Sequence, residues 1–177
     1  GCHWIKDLAM IILTRLNNLL ATVSYLIGVL IVAIMVMALS LSAITRYVSG
    51  TGYDWLIELP PVLVCWLVFP LLGPLLREGN HIQVDFLASI TSDKQSKFLK
   101  LLMNLTALVA SLVFFKAGME ATFLYFNLGQ MMELEIDIPI WWMYLSFPVG
   151  FIILASFSLE LTVQAIYDLK QEKTKGV

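Results

Sequence analysis

Apolar residues fill four long runs along the chain, separated by short polar stretches. No charged residue occurs from Leu16 to Thr45, and none from Leu59 to Leu76. A helix rises about 1.5 Å per residue, so some 20 apolar residues cross a hydrocarbon core of about 30 Å. The pattern predicts spans at about 19–45, 55–76, 98–128 and 139–165. The third helix is expected to start near Thr91-Ser92-Asp93-Lys94-Gln95, with Ser92 as cap and Gln95 reaching back in a capping box. Pro139 fits the first turn of the fourth, because its missing N–H has no helical partner there. The expected fold class is an all-α integral membrane protein, a single membrane domain over 1–177 with both termini on the cytoplasmic side.

Before the first span, Trp4, Ile5, Leu8, Ile11, Ile12 and Leu16 recur at helical spacing. They predict either an N-terminal amphipathic helix lying on the membrane surface or an inward extension of the first span. Ser24 with Gly28, and Ala38 with Ser42, are small pairs four apart that let another helix approach closely. The second span holds Pro60, Pro61, Pro70 and Pro74 and ends in Arg77-Glu78-Gly79-Asn80-His81-Ile82-Gln83-Val84-Asp85. Gly79-Asn80 is a turn signal, so this stretch reads as a polar elbow at one membrane face.

Composition sharpens the membrane reading. Charged residues make up 14% of the chain, against about 25% in soluble domains. Mean hydropathy is +0.85. A net charge of −2 offers nothing to nucleic acid. The basic residues set the orientation. With the N-terminus inside, Lys6, Arg15, Arg77, Lys94, Lys97, Lys100, Lys170, Lys173 and Lys175 fall on the cytoplasmic side and only Arg46 outside. Trp141, Trp142 and Tyr144 are expected as an aromatic belt at the outer interface.

Few residues invite chemistry. Lys116 and Glu120 lie within a span, four apart, and form an ion pair or an ion pathway, with the pair favoured. Arg46 and Glu58 flank one outer loop, either as an ion pair or as contacts to a partner. Glu160 reads as interfacial. His81, with Glu78 and Asp85 near in sequence, is too poorly supplied with neighbours for a metal site and reads as an anchor of the elbow. His3 and His81 lie outside the span centres, which disfavours haem, so no cofactor is expected. No catalytic triad, nucleotide loop or zinc signature occurs, so the chain is not expected to be an enzyme.

Trp-x-x-Glu-Leu at 55–59, Trp66, Gly73 and Arg-Glu-Gly-x-His-Ile-x-Val-Asp at 77–85 resemble the small membrane subunit of tripartite ATP-independent periplasmic (TRAP) transporters, DctQ/SiaQ type. Arg46-Tyr47 upstream fits, as do Ile138-Pro139, Trp142, Tyr144, Pro148 and Gly150 downstream. The extra prolines of Phe69–Pro74 depart from the family pattern. The resemblance implies a scaffold subunit in the bacterial inner membrane, obligately paired with the large membrane subunit of a sodium-coupled transporter. A periplasmic substrate-binding protein delivers an organic acid, of C4-dicarboxylate or sialic acid type. Interface candidates are Arg46, Tyr47, Trp55, Glu58, Trp66, Arg77, Glu78, His81, Asp85, Lys116, Glu120, Pro139 and Pro148. The alternatives are a self-sufficient homo-oligomeric transporter or channel, and the anchor of a redox enzyme. The missing inverted repeat and the absence of an acid in the first span weigh against the homo-oligomer.

Overall fold

The computed structural model describes the backbone of residues 2–88 and 93–175, and the side chains of 8–79 and 95–170. Four helices account for nearly all of it: α1 (Cys2–Ser49), α2 (Trp55–Ala88), α3 (Asp93–Leu128) and α4 (Ile140–Lys175). Each is long and apolar enough to cross a membrane, over Leu8–Ser49, Trp55–Gly79, Gln95–Leu128 and Ile140–Lys170. The helices alternate in direction. One end of the bundle, here the terminal end, carries both chain termini; the other, the loop end, carries the connections at 50–54 and 129–139.

One of the two N-terminal readings is met and one local expectation changes. The N-terminal stretch is helical and continuous with the first span, the inward extension, because nothing between Cys2 and Ser49 interrupts the backbone ladder. Gly79-Asn80 makes no turn; α2 continues through it to Ala88. A glycine inside a helix costs about 1 kcal/mol against alanine, which a long, already nucleated helix absorbs. The four prolines of α2 also sit inside the helix, which runs through them with fewer backbone bonds. Ser92, the expected cap of α3, lies outside the described residues. Pro139 precedes α4, and its carbonyl accepts from the Trp142 amide at 3.2 Å.

Small side chains decide the packing. The buried residues of α1, among those whose side chains are described, are Asn17, Ser24, Gly28, Ile31, Ala38 and Ser42. Seven residues separate 17, 24, 31 and 38, and fourteen separate 28 and 42, which is the spacing of a coiled-coil seam. At Gly28 that seam meets α2, where Leu67 and Leu71 approach within 3.4 Å of the place a Gly28 Cβ would occupy. Both small pairs expected from the sequence lie on it. On α4, Gly150 meets the backbone of Phe69, and Gly73 of α2 meets Ile153 and Phe157. Asn104, Ser111 and Gly118 of α3 are buried at seven-residue steps, with Gly118 against Pro148.

α4 is the central helix, packed on α3 and α2 and, over a shorter stretch, on α1. Its most apolar stretch is 44% buried, against 11% for that of α3. The other three helices show broad apolar faces outward, as in lipid.

Candidate functional site

The described ionisable side chains gather at three heights. At the terminal end, Asn17 of α1 inserts against α4. Its Nδ2 donates to the Ser156 carbonyl at 3.2 Å and to Glu160 Oε2 at 2.6 Å. Ser156 Oγ donates to Asn17 Oδ1 at 2.6 Å, and Gln164 Nε2 donates to Glu160 Oε1 at 3.4 Å. The Ser156 carbonyl can only accept, so it fixes which way the Asn17 amide points. Asn17 and Glu160 are 0% and 2% exposed. Glu160 is therefore not a side chain facing the interface: it is enclosed between helices, because an asparagine 143 residues away supplies its donor. Neither residue stands out in the sequence; an uncharged run that begins just before an Asn-Asn pair is the one available hint.

Beside this cluster a cleft of about 370 Å³ opens between α1 and α2. Asn18, Ala21, Thr22 and Tyr25 line it from α1; Pro74, Arg77 and Glu78 from α2; Phe157 of α4 closes the floor. Tyr25 Oη donates to Glu78 Oε1 at 2.6 Å. The Arg77 guanidinium lies 5.8 Å from the centre of the Phe157 ring, a cation–π contact. The helix backbone includes His81 and Asp85 where an elbow was expected, but their side chains lie outside the described residues.

At the loop end the Arg46–Glu58 ion pair, one of the two readings of these residues, is not made. Arg46 instead lies 3.6 Å from Asp54, the nearer acid along the chain. Glu58 Oε2 accepts the Glu135 amide and Glu135 Oε2 accepts the Trp55 amide, both at 3.0 Å. Two carboxylates thus satisfy two backbone donors, one of them at the start of α2, where donors lack helical partners. This clasp ties α2 to the 129–139 connection. The hydrogen bonds Met132 N to Ile138 O and Ile140 N to Gln130 O fold that connection onto itself. Tyr47 is 93% exposed.

The aromatic side chains of α4 pack between helices as well as lining that end. Trp66 Nε1 donates to the Trp142 carbonyl at 3.2 Å, with ring centres 5.4 Å apart. Tyr144 stacks on Tyr125 at 4.3 Å and Trp141 sits edge-on to Phe126. Pro148 is fully buried against α3.

Halfway up, Lys116 Nζ stands 3.9 Å from Glu120 Oε1 on the outer face of α3. The two side chains are 80% and 71% exposed. Their height follows from the packing: Gly118, between them, touches Pro148, and Gly150 touches Phe69 near the middle of the uncharged run of α2. Among the described residues, no three His, Cys, Asp or Glu side chains gather to hold a metal.

Residues 35–167 match the family model described as tripartite ATP-independent periplasmic transporters, DctQ component. Comparison with curated proteins gave no match.

Proposed function

Because the chain belongs to the DctQ-component family of tripartite ATP-independent periplasmic transporters, we propose that it is the small scaffold subunit against which a large membrane subunit moves its substrate. It is a multi-pass membrane protein of a transporter family, and no enzyme family is involved. In this reading it sits in the bacterial inner membrane with both termini cytoplasmic. The large subunit carries the sodium and organic acid sites, and a periplasmic binding protein supplies a C4-dicarboxylate or a sialic acid.

One observation carries the partnership: the Lys116–Glu120 pair. An exposed charge at mid-membrane height costs about 2.5–3.5 kcal/mol by insertion scales, and such residues normally face protein or a water-filled cavity. On this chain they face outward. Val109, Val113, Lys116, Glu120 and Phe123 follow at steps of four, three, four and three residues, so they form one stripe of α3. Covered by a second protein, that stripe leaves lipid, and the ion pair gains partners. The broad outward faces of α1 and α2 support the same reading, since a scaffold presents surface and encloses little.

The test is reconstitution. Liposomes bearing this chain alone, with a sodium gradient and an organic acid, are expected to take up nothing. Uptake is expected with the large subunit and the matching binding protein, and is lost when this chain is omitted. Uptake by the purified small subunit alone overturns the scaffold reading and promotes the homo-oligomeric transporter.

A further inference from the structure

The cleft between α1 and α2 has the features of a built binding site. It holds one guanidinium and one carboxylate on adjacent residues, Arg77 and Glu78, with Tyr25, Thr22 and Asn18 opposite. Neither charge cancels the other within the site. Among the described residues no carboxylate pairs with Arg77, whose contact is the Phe157 ring. Glu78 receives the Tyr25 hydroxyl on Oε1. A carboxylate accepts about four hydrogen bonds, so most of its capacity stays open to the cleft.

Height identifies the surroundings. Residues 59–76 are uncharged and span about 27 Å as a helix, close to the hydrocarbon thickness. Arg77 and Glu78 directly follow that run, so the cleft lies where headgroups lie. Its α1 wall continues inward on the same helix face. Residues 18, 21/22 and 25 are followed at helical steps by Val29, Val32 and Val36, exposed by 66%, 46% and 59%. A polar cleft at headgroup height thus leads into a bare aliphatic track toward the bilayer centre.

We propose that this cleft binds one phospholipid whose headgroup carries both a phosphate and a primary ammonium, the phosphatidylethanolamine class. Arg77 takes the phosphate, since a guanidinium fork matches phosphate oxygens. Glu78 takes the ammonium, which donates hydrogen bonds to a carboxylate. The acyl chains lie along Val29, Val32 and Val36. The pairing discriminates both ways. An anionic headgroup without an amine puts its charge beside Glu78 with nothing to offset it. A choline headgroup has a cation but no N–H to donate.

The test uses the purified full chain in nanodiscs of phosphatidylcholine. Equal small fractions of phosphatidylethanolamine and phosphatidylglycerol are added, and lipids retained on gentle release are counted by native mass spectrometry. One phosphatidylethanolamine per chain is expected to be retained over both competitors. Arg77→Gln is expected to lower that occupancy about tenfold, the scale of one charge-assisted contact. Glu78→Gln is expected to erase the preference over phosphatidylcholine while leaving phosphate binding. Thr22→Trp, which fills the cleft from an exposed position without touching a charge, is expected to empty it; this arm serves even where a charge variant folds poorly. Soluble glycerophosphoethanolamine is expected not to compete, because it lacks the chains that use the valine track. Preference for phosphatidylglycerol, equal retention of all three lipids, retention unchanged by Arg77→Gln and Thr22→Trp, or full competition by the soluble headgroup each overturns the proposal.

Discussion

Gly150→Ala is expected to loosen the bundle at its centre. A Cβ at Gly150 would lie 2.5 Å from the Cβ and the carbonyl oxygen of Phe69 and 2.6 Å from its carbonyl carbon. Ordinary contact begins at 3.4 Å, so the shortfall is about 0.9 Å (3.4 less 2.5). The obstructing atoms are backbone and Cβ, which no rotamer change removes. α2 and α4 must therefore separate by about 1 Å near the Phe69–Phe147 contact, whose ring centres are 4.0 Å apart. A gap of that size forfeits a quarter to a half of each dispersion well. Losing about a third of the well over some 40 close atom pairs, at about 0.15 kcal/mol each, costs about 2 kcal/mol. Overpacked cores lose about 1–3 kcal/mol, which agrees. Unfolding in mixed micelles of rising dodecyl sulfate fraction, read by tryptophan fluorescence, measures the change. Gly79→Ala is the internal control: nothing lies within 4 Å of its added Cβ, so it should be neutral or gain up to about 1 kcal/mol. A Gly150→Ala variant within about 0.5 kcal/mol of that control would refute the reasoning, because the helices would then have absorbed the methyl without separating.

Asn17→Ala removes both donors to α4 and leaves Glu160 enclosed without its closest partner. It should cost about 2–4 kcal/mol in the same assay, with a coupling of about 1 kcal/mol to Ser156→Ala in a double-mutant cycle. Lys116→Leu should reduce co-purification with the large subunit more than the double variant Lys116→Leu/Glu120→Leu does, because the single change leaves Glu120 unpaired; equal losses would remove the argument for a covered ion pair. Glu135→Ala uncaps the start of α2 and should cost about 0.5–2 kcal/mol, read as earlier unfolding in the same titration. In a Cys-free background, a cysteine at Gln130 should react with an impermeant thiol reagent in intact cells and one at Ser92 should not; the reverse pattern would invert the orientation.

The four helices were legible because uncharged runs such as 16–45 and 59–76 have few other physical outcomes. The α1 seam was partly legible too, since Ser24–Gly28 and Ala38–Ser42 carry their own spacing. Pairing across the bundle was not. Arg46 reaches Asp54 where the sequence also offered Glu58, and Glu58 turns to the amide of Glu135, 77 residues away. Only the antiparallel stacking of helices brings those groups together. Glu160 was misplaced for the same reason: its position near the end of a span is plain from the sequence, but enclosure depends on where α1 crosses α4. The Gly79-Asn80 signal failed differently. Local turn preference is worth about 1 kcal/mol, and continuing an existing helix outweighs it.

The Asn17–Glu160 lock also bears on how the chain is assembled. The two residues are 143 positions apart, and α1 meets α4 over a shorter stretch than it meets α2. At about 5–20 residues per second of synthesis, about 7–30 s pass between their appearances. During that interval the α1–α2 hairpin already has its small-residue seam, while Asn17 has no α4 to receive it. The last helix to be made is thus the central one: its arrival joins α3 to the preformed α1–α2 hairpin and closes the terminal end in the same event. A chain stopped before Ser156 would keep its first seam and lack its bolt, leaving a defined mark of incompleteness: a polar amide on α1 without its partners on α4.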